Sequence, residues 1–259
     1  MVASMMKDRG MQTFLTIWVG QLVSILGTAM TRFALMIWAY EQAGNATTLA
    51  MIGFFNFGGY LLASPLAGVL VDRWNRRTVM LAADGLSGLM TLAMLALFLN
   101  GRLEIWHLYL AEALSGGFDA FQTPAYSSSI SLLAPAAHYA RLNGMVSFAY
   151  NSGRVLAPML AGLMLVRFDL AAVMAVDIVT LAIAAGTLLA VRIPTPPASP
   201  DGTAARGDFV HQMRFGLRYV FARPGLMGLM LVYAGINLFA ALTYFSILPA
   251  LVLARTGAN

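Results

Sequence analysis

The stretch Gly68-Val-Leu-Val-Asp72-Arg73-Trp-Asn-Arg76-Arg77 joins two long apolar segments, residues 49–71 and 78–99. Each segment is long enough to cross a bilayer as a helix, which takes about 20 mainly apolar residues. Two membrane helices joined by so short a link form an antiparallel hairpin. One aspartate and three arginines place the link at a membrane face and indicate a hinge or latch rather than a passive loop.

The composition of the chain excludes a water-soluble fold. Of the 259 residues, 59% are hydrophobic and 10% are charged, whereas soluble domains are roughly 45–50% apolar and about 25% charged. The net charge is +5, but the basic residues lie between apolar segments, which favours membrane orientation over nucleic-acid binding. The absence of cysteine excludes disulfides and thiolate metal sites. We expect an integral membrane protein, in contact with the lipid bilayer and without a metal.

Seven apolar segments are long enough to span a membrane. They are residues 12–40, 49–71, 78–99, 105–131, 143–166, 170–191 and 225–254. A transmembrane β-barrel would instead show stretches of about 10 residues with alternating polarity, and unbroken apolar runs such as residues 80–99 do not fit that pattern. The expected fold class is an all-α integral membrane bundle.

The distribution of basic residues predicts a cytoplasmic N-terminus. With this orientation the inner links hold most of the 16 basic residues, as the positive-inside rule requires. These residues are Lys7, Arg9, Arg73, Arg76, Arg77, Arg141, Arg192, Arg206, Arg214, Arg218 and Arg223. We expect a multi-pass protein of a bacterial cytoplasmic (inner) membrane.

The link between the sixth and seventh spans differs from the others. Residues 192–224 begin with a Pro-rich stretch, and residues 208–221 have the periodicity of an amphipathic helix that lies on the inner leaflet. The predicted domains are a six-helix bundle at 1–191, a cytoplasmic linker at 192–224, and the start of a C-terminal bundle at 225–259. Six spans, a long link and a further span are typical of two transporter halves joined in the middle.

The turn between the second and third spans resembles a family signature. The residues Gly68, Leu70, Asp72, Arg73, Arg76 and Arg77 match the Gly-x-Leu-x-Asp-Arg-x-Gly-Arg-Arg pattern of the major facilitator superfamily, and Asn75 replaces its second glycine. The resemblance implies a partial twelve-helix fold, namely the N-terminal six-helix bundle plus a seventh helix. It also implies a gating latch, in which Asp72 meets the positive N-terminal end of a helix in the C-terminal half. We expect Gly68 to allow close backbone approach, Asn75 to tolerate a left-handed backbone, and Asp84 to join the network of Arg73 and Arg77.

A second stretch, in the fifth span, resembles the antiporter branch of the same family. Gly153, Ala157, Pro158 and Gly162 follow its Gly-x-x-x-Gly-Pro-x-x-Gly-Gly pattern, with alanine at two glycine positions. Ordinary small-residue packing explains these residues equally well. Taken with Glu112 to Gly116 in the fourth span, Pro124 to Ser127, and Pro135 to Gly144, the chain resembles the enterobactin-exporter and macrolide-efflux permeases. The resemblance implies efflux of small amphipathic compounds (drug, macrolide or siderophore-like), driven by the proton motive force without a cofactor.

Six ionisable residues fall inside predicted spans. They are Arg32, Asp84, Glu112, Asp119, Arg154 and Asp177. Each costs about 2.5–3.5 kcal/mol at the bilayer centre on insertion scales, so we expect them to face the bundle interior or water. They are candidates for proton coupling and substrate contact, and structural ion pairing is the alternative.

Three expectations concern particular members of this set. Arg154 lies near the middle of the fifth span and requires an acidic partner or an anionic substrate. Glu112 and Asp119 are two helical turns apart and therefore share a face. Arg32 and Asp177 both lie in the outer halves of their spans and are a candidate pair.

Three other classes of protein compete with a transporter. A retinal protein requires a lysine in its last span, and the single lysine is Lys7. A membrane enzyme lacks support, because there is no His-Glu-x-x-His or Gly-x-Ser-x-Gly motif and the three histidines are isolated. A non-transporting receptor or assembly protein on the same fold remains open.

The chain ends soon after its seventh span, whereas the family has two six-span halves. A partial sequence, a split gene and a dimerising half-transporter are the three explanations. The expected partners are therefore a small-molecule substrate and a C-terminal half from the same gene, a separate gene or a second copy. An inactive truncated fragment also remains open.

Overall fold

The computed structural model describes residues 9–194 and 218–242. They belong to two compact units, Met1–Pro197 and Ala198–Asn259. The described residues contain helices and no strands, which confirms the all-α fold class. Of the predicted amphipathic helix at 208–221, residues 208–217 lie outside the described residues, and residues 218–221 are helical.

The first unit contains six long helices that coincide with the first six predicted spans. Their bounds are Arg9–Ala43 (α1), Ala46–Arg73 (α2), Arg76–Leu99 (α3), Ile105–Leu133 (α4), Tyr139–Arg167 (α5) and Leu170–Ala190 (α6). A short 3₁₀ helix, Ala136–His138, precedes α5. In the second unit, α7 covers Pro224–Leu242, so the rest of the predicted span 225–254 lies outside the described residues.

Four of these helices are long and apolar enough to cross a membrane by length and composition. The qualifying segments are Gly10–Ala43, Thr47–Val71, Arg76–Leu99 and Leu170–Ala190. Helices α4 and α5 have 29 residues each, which is long enough to cross a membrane, but they carry polar and charged side chains among their apolar ones. The apolar stretch of α7, Pro224–Ile236, is shorter.

The link between α2 and α3 is as tight as predicted, but Asn75 acts differently. Its backbone is extended, with φ −65° and ψ 123°, so the expectation of a left-handed residue was wrong. The Asn75 side chain instead accepts a hydrogen bond from the Arg77 backbone N–H at 2.9 Å. Asparagine is a preferred residue at this position because its side chain satisfies an N–H that the first helical turn leaves unpaired.

Helix α1 contacts most of the other helices in the first unit and packs chiefly against α5 and α6, while α2 packs chiefly against α4. Small residues bring these helices together. A Cβ atom added to Gly116 on α4 would overlap the Asn56 carbonyl of α2, and one added to Gly59 would overlap the Ala113 carbonyl. Such close backbone approach is typical of membrane helix pairs. The close approach of α2 and α4 at Gly59 and Gly116 also brings Asn56 of α2 next to Glu112 of α4.

Candidate site in the six-helix unit

Arg32 on α1 faces both carboxylates that α4 carries in its middle. Its Nη2 atom lies 2.7 Å from the Asp119 Oδ2 atom, and its Nε atom lies 3.9 Å from the Glu112 Oε2 atom. The prediction that Glu112 and Asp119 share a helix face is therefore confirmed. The shorter contact is a charge-assisted hydrogen bond, which is stronger than one between neutral groups. We call Arg32, Glu112 and Asp119 the α1/α4 cluster.

The two carboxylates of the α1/α4 cluster differ in their surroundings. The side chain of Glu112 is 12% exposed, whereas that of Asp119 is 44% exposed and that of Arg32 is 34% exposed. Asn56 on α2 donates a hydrogen bond from Nδ2 to Glu112 Oε2 at 2.9 Å. Glu112 is therefore held inside the unit, while the pair of Arg32 and Asp119 is accessible from outside it.

Asp177 is completely buried on α6, but it does not pair with Arg32. The Thr28 and Thr91 hydroxyls each donate a hydrogen bond to it, to Oδ1 and Oδ2 respectively, both at 2.9 Å. Arg32 forms its ion pairs with the acids of α4 instead, so the predicted pair of Arg32 and Asp177 was wrong. The partners of Asp177 are therefore hydroxyl groups on α1 and α3 and not the expected guanidinium group of Arg32.

Asp84 was expected in the network of Arg73 and Arg77, but Arg77 binds the end of α6 instead, and the Arg73 side chain lies outside what the structure describes. Asp84 is buried and accepts hydrogen bonds from Gln21 Nε2 at 2.9 Å and Gln122 Nε2 at 2.8 Å. The two glutamines are themselves joined, at 2.9 Å. Asp84 thus connects α1, α3 and α4 through neutral amides, because its helix face is directed into the unit.

The two described arginines of the link bind within the six-helix unit. Arg77 donates hydrogen bonds to the Leu188 and Leu189 carbonyls at the end of α6, at 2.7 Å and 2.8 Å. Arg76 donates to the Trp74 carbonyl at 3.2 Å and to Ser128 Oγ at 3.3 Å. The side chains of Asp72 and Arg73 lie outside what the structure describes. The latch to a C-terminal half stays a prediction.

Gly68 does not mark a close helix contact in this unit. A Cβ atom added to Gly68 would meet no atom of the described residues within 4 Å. Close backbone approach at Gly68 therefore does not occur among the described residues of this unit, and approach by another helix stays a prediction. The close contacts occur at Gly59 and Gly116 instead.

Arg154 is exposed on α5, so of the two predicted environments, bundle interior or water, it is not in the interior of this unit. Gly153, Ala157 and Ala161 form the buried stripe of this helix, and a Cβ atom added to Gly153 would lie 3.0 Å from Ile25 on α1. Consecutive helical residues point about 100° apart, so burying Gly153 turns Arg154 outward. It forms no ion pair with an acid of the described residues.

The antiporter-like stretch contributes helix packing. Gly153 and Ala157 lie on the buried stripe, and Pro158 lies inside α5 without ending it. A Cβ atom added to Gly162 would meet nothing within 4 Å. Only part of the stretch therefore takes part in close contacts among the described residues.

Sequence reasoning missed the neutral partners of the buried carboxylates. Asn56, Gln21, Gln122, Thr28 and Thr91 were not singled out. The available signal was an amide or hydroxyl side chain inside an otherwise apolar span. Such residues hydrogen-bond across membrane helices because lipid offers no partner.

These features define a multi-pass helical membrane protein with charged and polar groups gathered between its helices. The sequence matches the Major Facilitator Superfamily over residues 17–258. The chain belongs to this transporter family.

Named relatives include macrolide efflux protein A of Streptococcus pyogenes, which is 28% identical over 219 residues, 85% of this chain and 54% of that protein. Macrolide efflux protein A of Enterococcus faecalis is 27% identical over 189 residues, 73% of this chain and 58% of that protein. An uncharacterized MFS-type transporter of Bacillus subtilis is 22% identical over 163 residues. The chain spans about half the length of the macrolide efflux proteins that it matches.

Proposed function

We propose that this chain supplies the N-terminal half of a proton-coupled exporter of small amphipathic compounds. The exporter would lie in the bacterial cytoplasmic membrane with its N-terminus on the cytoplasmic side. The observation that carries this proposal is the α1/α4 cluster, in which one arginine forms ion pairs with two carboxylates. Membership of a transporter family supports it.

The charges of the α1/α4 cluster favour proton binding. Arg32 neutralises one carboxylate fully, which leaves an excess of one negative charge in the middle of the unit. Removing an unpaired charge from water is costly, and a carboxyl group can avoid this cost by binding a proton. We assign the proton to Glu112, which is the more buried acid and whose hydrogen bond from Asn56 positions its carboxylate.

The exposed part of the cluster is suited to substrate contact. Asp119 and Arg32 are both open to the outside of the six-helix unit, so a ligand group of either charge has a partner there. Loading Glu112 with a proton would weaken its attraction for Arg32 and leave Arg32 bound to Asp119 alone. In this account proton and substrate influence each other through Arg32.

Efflux, rather than uptake, is supported by the relatives named as macrolide efflux proteins. Because the identity to these relatives is low, they support a class of amphipathic substrates rather than one particular substrate. The predicted latch at Asp72 belongs to the same proposal. It would join this half to the rest of the transporter.

The test uses the protein at the length its gene encodes, reconstituted into proteoliposomes. A pH gradient is imposed, and movement of a radiolabelled macrolide is measured with and without an ionophore that collapses the gradient. The proposal expects macrolide movement against its concentration gradient only while the pH gradient lasts. A receptor or assembly protein would move no macrolide, and a carrier without proton coupling would be insensitive to the ionophore.

A further inference from the structure

A small cavity lies where α1, α3, α4 and α6 meet, beside the α1/α4 cluster. Arg32, Glu112 and Asp177 line it, and Thr31, Ser87 and Ser115 add hydroxyl groups. Its volume is about 30 Å³. A single water needs about 10–15 Å³ measured in this way, so the space suits about two waters.

Two buried polar atoms at this cavity lack a partner among the described residues. They are the Thr31 hydroxyl and the Arg32 Nε atom. Thr31 is only 4% exposed, and Arg32 Nε lies 3.9 Å from Glu112 Oε2, which is too far for a direct hydrogen bond. A buried water is retained where it can bond to several polar groups, and these two atoms provide such bonds.

The charged groups around Asp177 favour a positive species beside it. Helix α1 presents Arg32, α4 presents Glu112, and α3 presents the neutral Ser87 and Thr91. The buried face of α5 carries no charged side chain. Among the described residues of this unit, Arg32 lies near three carboxylates, those of Glu112, Asp119 and Asp177, and the hydrogen bonds to Asp177 come from hydroxyl groups.

We propose that this cavity binds water that joins Glu112 to Asp177, and that Asp177 is a second proton-binding group of the six-helix unit. The proton leaves the Glu112 carboxyl group and bonds to a water. That water passes one of its own protons to an Asp177 oxygen. Glu112 ends as a carboxylate and Asp177 as a carboxylic acid, and the water is unchanged.

This inference deepens the proposed function, because it gives the bundle a place to hold a proton away from the exposed pair of Arg32 and Asp119. Asp177 can accept the proton because the partners of its two oxygens, the Thr28 and Thr91 hydroxyls, are neutral. Hydroxyl groups rotate and can either donate or accept. The Thr28 and Thr91 hydroxyls can therefore solvate both forms of the side chain.

Infrared difference spectroscopy tests this proposal without a transport assay. The purified protein in lipid is shifted from high to low pH, and the carbonyl bands of newly protonated carboxyl groups are recorded. We expect the substitution Asp177→Asn to remove one buried carboxyl band, and the control Glu41→Gln, at an exposed acid of α1, to leave that band in place. Circular dichroism checks that both variants keep their helix content.

The water is tested in the same samples. Exchange into H₂¹⁸O is expected to shift a band of a buried water, and Thr31→Val is expected to lose that band while keeping the Asp177 signal. An unchanged carboxyl spectrum in Asp177→Asn would overturn the proposal. The proposal would also be overturned if the carboxyl bands changed when sodium was added at constant pH but not when the pH was lowered. Because no macrolide is present, failure here is distinguishable from failure of the proposed export.

Discussion

Arg77, at the start of α3, binds Leu188, at the end of α6, through a hydrogen bond of 2.7 Å from its Nε atom to the Leu188 carbonyl. Its Nη2 atom binds the next carbonyl, Leu189, at 2.8 Å. The last carbonyls of a helix have no partner within the helix, and a cation there also interacts favourably with the helix dipole. One arginine of the signature therefore joins the start of α3 to the end of α6 within the six-helix unit.

The first prediction concerns the stability of the bundle without this contact. A hydrogen bond to a charged group contributes about 1.5–3 kcal/mol, and partial exposure reduces this, so we expect Arg77→Gln to lower the unfolding free energy by about 1–2 kcal/mol. Unfolding in mixed micelles, followed by circular dichroism, measures the change. Arg102→Gln is the control, because Arg102 is exposed. Equal stability of the two variants would contradict the structural role of Arg77.

A second prediction compares two glycines. Gly116→Ala would push a methyl group against the Asn56 carbonyl, whereas Gly68→Ala would meet nothing within 4 Å. Overpacking costs typically about 1–3 kcal/mol, so Gly116→Ala should unfold at a clearly lower denaturant concentration, and Gly68→Ala should match the unsubstituted protein. The same unfolding measurement decides this. A destabilised Gly68→Ala protein with normal Gly116→Ala stability would contradict the packing of α2 on α4.

The third prediction concerns the latch. In the protein at its encoded length, we expect Asp72→Asn to abolish macrolide transport while expression stays normal, because the amide loses the charge that would meet a positive helix end. Transport is measured in proteoliposomes and expression by immunoblot of membranes. The exposed acid Glu41 provides the control as Glu41→Gln. Transport by Asp72→Asn at the normal rate would refute the latch assignment.

The helices of the six-helix unit could be predicted from the sequence because apolar runs of about 20 residues fit a membrane-spanning helix and few other structures. The turn between α2 and α3 was placed correctly for the same reason, since its charges interrupt two such runs. The shared face of Glu112 and Asp119 followed from helical spacing alone. Each of these features depends only on the spacing of residues within one continuous segment, which the sequence gives directly.

The partners of the buried charges could not be predicted in the same way. Arg32 pairs with Asp119 and not with Asp177 because of how α1 is rotated against α4 and α6, and this rotation depends on small-residue contacts such as that between Gly27 and Thr180. Arg154 faces outward because Gly153 is the residue that packs on α1. Neither rotation is encoded in the span pattern.

Proton movement through Glu112 most directly tests the role of the α1/α4 cluster. Proteoliposomes containing the protein at its encoded length and a pH-sensitive dye inside are given a macrolide gradient, and macrolide-driven proton flux is compared between the unsubstituted protein and Glu112→Gln. Because the amide can neither bind nor release a proton, we expect Glu112→Gln to lose this flux and Glu41→Gln to keep it. Undiminished proton flux through Glu112→Gln would contradict the central role of the α1/α4 cluster.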